Sequence, residues 1–213
     1  MKNEEIKMPN LILCEGKDAY YFIIYWLNNA FVDTPHKYQA IDFGGNSELS
    51  KRIGNLLLSK ASLIKSILII RDAESDYDKA VNEVNKALEN NSLIPNNENL
   101  SCNQICDHNN KKIAFTLFPS LSDKSENGTL EDFYIKHLKN PKPKDILNKI
   151  DCFTNSLNKK FNHPHKTKLH TYFSVSDFVG DKLGEATKKG AFNFECDELI
   201  NLKKLLIKLA NHP

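Results

Sequence analysis

Arginine is scarce in this chain: of 29 basic residues, only Arg52 and Arg71 are not lysine. With its plentiful asparagine, that bias fits an AT-rich coding composition, so the lysine count by itself does not argue for a polyanionic partner. The formal net charge of +2 is too small for a global field that would attract nucleic acid, although it allows a local one. No apolar stretch reaches the roughly 20 residues needed to cross a bilayer. The opening Met1-Lys2-Asn3-Glu4-Glu5 lacks the basic-then-apolar pattern of a secretory signal, which makes a cytoplasmic protein the expectation. The five cysteines are an odd, scattered set that suits reduced thiols better than a disulfide framework. There is no Gly-x-x-x-x-Gly-Lys-Ser/Thr loop, so any ATP hydrolysis must come from another chain. No internal repeat is present.

The apolar runs carry the fold. A hydrophobic share of 40% and a charged share of 26% over 213 residues suit one main globular domain with room for an extension. Residues 10–14, 38–43, 64–70 and 112–118 read as strands, and 17–31, 46–60 and 76–90 as helices, with Asn46 or Ser47 capping the second. The run Ile67 to Ile70 is apolar on both faces, as a central parallel strand requires. The polar, Asn-rich stretch 91–110 reads as a surface loop or insertion. Strand–helix alternation predicts an α/β fold with a mostly parallel, Rossmann-like sheet flanked by helices. The last third reads as helices at 129–139, 144–161, 166–178 and 196–211, a C-terminal helical extension. Pro141 and Pro143 mark the boundary, dividing the chain into 1–140 and 141–213, the second part packed on the first.

Acids stand where these runs stop. Glu15 follows Leu11-Ile12-Leu13-Cys14, Asp72 and Glu74 follow Ile67-Leu68-Ile69-Ile70, and Glu131-Asp132 follows Gly128-Thr129-Leu130. If the first two runs are neighbouring parallel strands, their acids meet at the edge where ligand sites of open α/β sheets form. An extended backbone would aim Asp72 and Glu74 to the same side. Five carboxylates gathered there would repel unless a cation offset them, and hard oxygen donors suit Mg2+ or Mn2+. Each segment also has a purely structural explanation: a solvated strand end for Glu15, a polar turn capped by Asp76 for Asp72 and Glu74, and a helix cap for Glu131 and Asp132.

Weaker signals concern phosphate. Gly44-Gly45 before a helix could bring backbone amides to an anion, or could simply make a turn. Lys17 beside Glu15, and Lys188 and Lys189 beside Gly190, are candidate phosphate contacts that ordinary surface lysines explain as well. From Lys136 to His170, nine lysines and four histidines face Asp145 and Asp151, with Phe153 and Phe161 between them, a pattern that fits nucleic-acid backbone contact or a solvated face. Cys102-x-x-x-Cys106-x-His108 lacks an evident fourth ligand and has unusual spacing, so structural zinc is not expected there.

The ordered set Glu15-Gly16-Lys17-Asp18, Phe43-Gly44-Gly45, Arg71-Asp72-Ala73-Glu74 and Gly128-Thr129-Leu130-Glu131-Asp132, with Val179 to Phe192, resembles small stand-alone Toprim-like proteins related to the nuclease part of the OLD family. The likeness runs from about Leu11 to Leu209. It departs from the usual pattern at Glu74, where aspartate is commoner. The resemblance implies a Toprim-like α/β fold and an Mg2+- or Mn2+-supported phosphoryl-transfer site. Glu15, Asp72 and Glu74 would be catalytic, and Glu131 and Asp132 would complete the metal ligands. The substrate would be DNA or RNA, with a partner ATPase in some relatives, including in defence against phage. The alternative is a non-catalytic module that binds metal and either nucleic acid or an ATPase. Oligomerisation is left open. A topoisomerase would need gates and a tyrosine-bearing domain, and a primase would need template-binding modules. Neither fits in this length.

Overall fold

The computed structural model describes residues 5–31, 37–139 and 143–211. Its sheet contains β1 (Asn10–Glu15), β2 (Tyr38–Gly44), β3 (Ser66–Asp72), β4 (Cys106–His108) and β5 (Lys111–Phe118), in spatial order β2-β1-β3-β5-β4. β1, β2, β3 and β5 are parallel, while β4 pairs antiparallel with β5. The helices are α1 (Gly16–Ala30), α2 (Leu49–Lys60), α3 (Tyr77–Glu89), α4 (Leu130–Lys136), α5 (Pro143–Ser156), α6 (Pro164–Ser174), α7 (Leu183–Lys188) and α8 (Asp197–Ala210). The expected α/β class and mostly parallel sheet are present. No helix among the described residues is long and apolar enough to cross a membrane.

Alternation along the central strands explains the layers. Ile12, Cys14, Leu68, Ile70 and Ala114 enter one core with α1, α4 and the C-terminal helices, whereas Leu11, Leu13, Ile67, Ile69 and Ile113 enter the other with α2 and α3. Both faces are covered, so the middle strands must be apolar throughout. Phe22 of α1 packs edge-on against Phe118, Phe133, Tyr134 and Phe192, joining sheet, α4 and C-terminal segment in one aromatic cluster. Burying each such ring contributes about 1.5–3 kcal/mol. The C-terminal helices thus complete one of the sheet's two cores. Pro141 and the expected 140/141 boundary lie outside the described residues, while Pro143 opens α5.

Three local expectations need correction. The 91–110 stretch is not a surface excursion: Leu93, Ile94, Leu100 and Cys102 are buried, and Cys106–His108 forms β4. Its apolar anchors are isolated among polar residues and show no period. Asn85 holds the stretch by accepting from the Leu100 amide at 2.8 Å and donating to the Leu100 carbonyl at 3.0 Å. The helix after Gly45 begins only at Leu49, behind a 3-10 turn at Asn46–Glu48. Finally, α7 forms where none was expected. Its Gly184 fits against Tyr21 so closely that a Cβ there would stand 2.8 Å from Tyr21 Cβ.

Candidate active site

β1 connects through α1 to β2 on one side, while β3 leads through α3 to β5 on the other. The chain therefore reverses direction across the sheet between β1 and β3, at the carboxyl ends where open α/β folds form crevices. Glu15 ends β1 and Asp72 ends β3, so both stand at this reversal. Gly16 follows in the left-handed region at φ 77° and turns the chain sharply into α1. Glu15 is the N-cap residue of α1, yet its side chain does not cap the helix. Its Oε2 instead accepts from the Asp72 amide at 3.4 Å and lies 3.4 Å from Arg71 Nε.

Asp72 is tied to the second half of the chain. Its Oδ1 accepts from the Leu130 amide at 2.8 Å. That bond sets the start of α4 over the end of β3 and brings in Glu131, which is buried at 4% exposure. Burial, then the charges of Glu131 and Glu15, push the Asp72 carboxyl well above the usual range, against the lowering effect of the Leu130 amide. Glu15 is also raised, chiefly by burial, with Arg71 opposing.

Glu74 departs from expectation. Its φ is 57°, so the chain is not extended after Asp72 and strand alternation does not aim the two side chains, although the Glu74 charge still acts on both Asp72 and Glu15. Glu74 is exposed, and its backbone is what matters locally: amide and carbonyl exchange hydrogen bonds with Gly128 at 2.8 and 2.7 Å. This bridge secures the loop that delivers α4. Asp132 is engaged within the protein on both oxygens. Oδ2 accepts from the Thr129 amide at 2.8 Å in a capping box, and Oδ1 meets His165 Nδ1. The inner acids are therefore Glu15, Asp72 and Glu131.

Basic groups that sequence reasoning did not single out complete the site. Arg71 is 2% exposed, and its Nη1 donates to Asn46 Oδ1 at 2.8 Å and to Glu83 Oε2 at 3.1 Å. It links β3, the 3-10 turn and α3 behind Glu15. An arginine inside an apolar strand of a lysine-rich chain was the available signal. Lys166 Nζ lies 3.4 Å from Glu131 Oε1; burial disfavours its charge, but Glu131, Asp18 and Asp72 hold its pKa above the ordinary lysine value. Lys166 and His165 were visible only as members of a long basic stretch, because nothing local showed that α6 reaches the sheet edge.

The phosphate candidates divide. Gly44 pairs with Glu15 just past a register shift that leaves Phe43 of β2 without a partner in β1, which places it beside the acids. Gly45 leads into the three-residue 3-10 turn, so the expected helix N-terminus does not stand there. Lys17 is exposed on the first turn of α1. Lys188 is exposed at the end of α7, and Lys189 is paired with Asp181 at 2.7 Å, so neither is joined to the acids. Cys102 lies in the core against Thr116.

The inner acids present only carboxylate oxygen, the donor type preferred by magnesium and manganese. Burial first, and then the charges of Glu131 and Glu15, raise the Asp72 carboxyl, a setting that a bound cation would relieve, and on both counts the residues fit a hard divalent ion. The ligand oxygens of Glu15, Asp72 and Glu131 do not all lie within 4.8 Å of one another. Among the described residues, the one trio of His, Cys, Asp or Glu whose ligand atoms all lie within 4.8 Å of each other is elsewhere, at His137, Cys196 and Glu198.

A family model described as "Protein of unknown function (DUF3226)" matches residues 9–211, and the chain belongs to that family. No curated protein and no solved structure matches it.

Proposed function

We propose that this protein hydrolyses phosphodiester bonds of nucleic acid with the help of Mg2+ or Mn2+, at the cluster formed by Glu15, Asp72 and Glu131. The observation that carries this reading is that three chain-distant carboxylates stand at the sheet's reversal point, with the Asp72 carboxyl pushed up by burial and then by the charges of Glu131 and Glu15. These three residues would hold the ion, with exposed Glu74 at the rim. A bound divalent ion would supply charge neutralisation at the phosphate and a more acidic water.

The chain's own groups have definable tasks. The Leu130 amide fixes Asp72, and Arg71 fixes Glu15 from the protein side. Glu15, with its pKa raised, is suited to accept a proton from water. Lys166 offers a cation at the cluster for a phosphate oxygen. Beyond His165, a cleft of about 590 Å³ is lined by Lys159, Lys160, Lys168 and Phe161, a combination of cations and ring that suits a nucleic-acid backbone and its bases. The Toprim-like resemblance adds a partner ATPase and a role in phage defence, and the five free cysteines suit a cytoplasmic setting.

A non-catalytic module is the second reading, favoured by the ion pairs that Arg71 and Lys166 already make with two of the acids. Incubating the purified chain with DNA and with RNA, in Mg2+ or Mn2+ and with or without the neighbouring gene product, separates the two. Divalent-dependent cleavage that disappears in both Asp72→Asn and Glu15→Gln supports hydrolysis. Binding of metal and nucleic acid without cleavage under every condition supports the module.

A further inference from the structure

We propose that His137, Cys196 and Glu198 form a second metal site, for zinc or a similar borderline transition ion, at the end of α4 opposite the acidic cluster. One donor atom of each residue lies within 4.8 Å of those of the other two. His137 is the C-cap of α4, Cys196 the N-cap of α8, and Glu198 stands in the first turn of α8. Six residues of rise separate Glu131 from His137, about 9 Å along the helix. The two sites are therefore distinct.

The backbone holds these donors in place. The Asn193 amide donates to the His137 carbonyl at 2.9 Å, the Lys139 amide to the Ala191 carbonyl at 2.9 Å, and Leu138 forms an antiparallel bridge with Phe192. Little further ordering is needed to bind an ion, which favours affinity.

Two observations point to a ligand rather than to packing. His137 Nε2 is buried and makes no well-aligned hydrogen bond, its polar neighbour being the Glu198 carboxylate, so a bound cation would satisfy both groups. The nitrogen stands 3.4 Å from Glu198 Oε1, close to the separation of about 3.4 Å between two donors on a tetrahedral zinc ion with bonds near 2.0–2.1 Å. Nitrogen, sulfur and carboxylate oxygen together are also a zinc set, not a magnesium set. Lys136 Nζ, 2.8 Å from the same Glu198 oxygen, is about half exposed and can turn to solvent when an ion takes that oxygen. Three protein donors leave the fourth position for water. The site would pin α4 to α8.

The test is a cobalt titration of the full chain, purified without a histidine tag and stripped by a chelator. One equivalent of Co2+ should bind with a thiolate-to-metal absorption band in the near ultraviolet, displaced by Zn2+ and untouched by excess Mg2+. Cys196→Ser should abolish the band, His137→Gln and Glu198→Gln should weaken binding by about tenfold or more, and Cys102→Ser and Cys106→Ser should leave it unchanged. Circular dichroism reports whether each variant is folded. Should Cys196→Ser not fold, folded His137→Gln decides, since wild-type affinity there overturns the site. A band that survives in folded Cys196→Ser, or no cobalt bound by the folded wild type, also overturns it.

Discussion

The Leu130 amide and the Asp72 carboxylate, 58 residues apart in the chain, are joined at 2.8 Å. This bond couples the end of the central strand to the start of α4 and so decides that Glu131, rather than Glu74, lies closest in charge to Asp72. Two influences then compete at Asp72. The amide favours the ionised form, while burial and the charges of Glu131 and Glu15 favour the protonated one, and the latter prevail.

Asp72→Asn should therefore stabilise the metal-free protein at neutral pH, because asparagine still accepts the Leu130 hydrogen bond without the repelled charge. The sign follows from the raised folded pKa. Below the ordinary carboxyl range both states are protonated and the charge contributes nothing. Above it the unfolded chain ionises first, so wild-type stability falls as pH rises through the folded value. Thermal melts across pH should show the variant's advantage growing with pH, each 1 kcal/mol appearing as about 2–4 °C. An advantage that is absent at pH 7, or that shrinks as pH rises, would refute the repulsion account.

Mg2+ or Mn2+ should raise the melting temperature of the wild type by linkage, by about 2.7 kcal/mol at a hundredfold excess over Kd. Glu15→Gln, Asp72→Asn and Glu131→Gln should each blunt that response, and Glu74→Gln should blunt it least, because Glu74 is exposed. Equal loss in all four variants would mean that the ion binds in a geometry other than the one described.

Arg71→Met should destabilise the fold by about 3 kcal/mol, since it leaves Glu15 and Glu83 without the buried cation that ties them to β3. It should also raise the Glu15 pKa further, because Arg71 now opposes that rise. Denaturant unfolding measures the first effect, and carboxyl NMR titration the second.

Gly128→Ala should cost about 2 kcal/mol and weaken the metal response. Its φ is 142°, and a Cβ would stand 2.9 Å from Asp132 Oδ2 and 3.0 Å from Pro119 Cγ. Gly16→Ala, at φ 77° with nothing within 4 Å of an added Cβ, should cost only about 1–2 kcal/mol of backbone strain. Comparing the two by thermal unfolding separates torsional strain from loss of the α4 cap. Equal costs would show that the contacts around Gly128 contribute little.

The four parallel strands, the bodies of the helices between them and the standing of Glu15 and Asp72 at strand ends were legible in the sequence, because apolar period and run length are local properties, whereas the short antiparallel β4 was not. It also carried the cap chemistry of Thr129 and Asp132, read across three residues. Only packing between distant segments set the left-handed backbone at Glu74, the flanking of the acids by Arg71 and Lys166, the anchoring of the Asn-rich stretch in the core, and the meeting of His137 with Cys196 and Glu198. Those outcomes depend on strand order, on single turn dihedrals and on contacts between distant segments. No window of neighbouring residues records them.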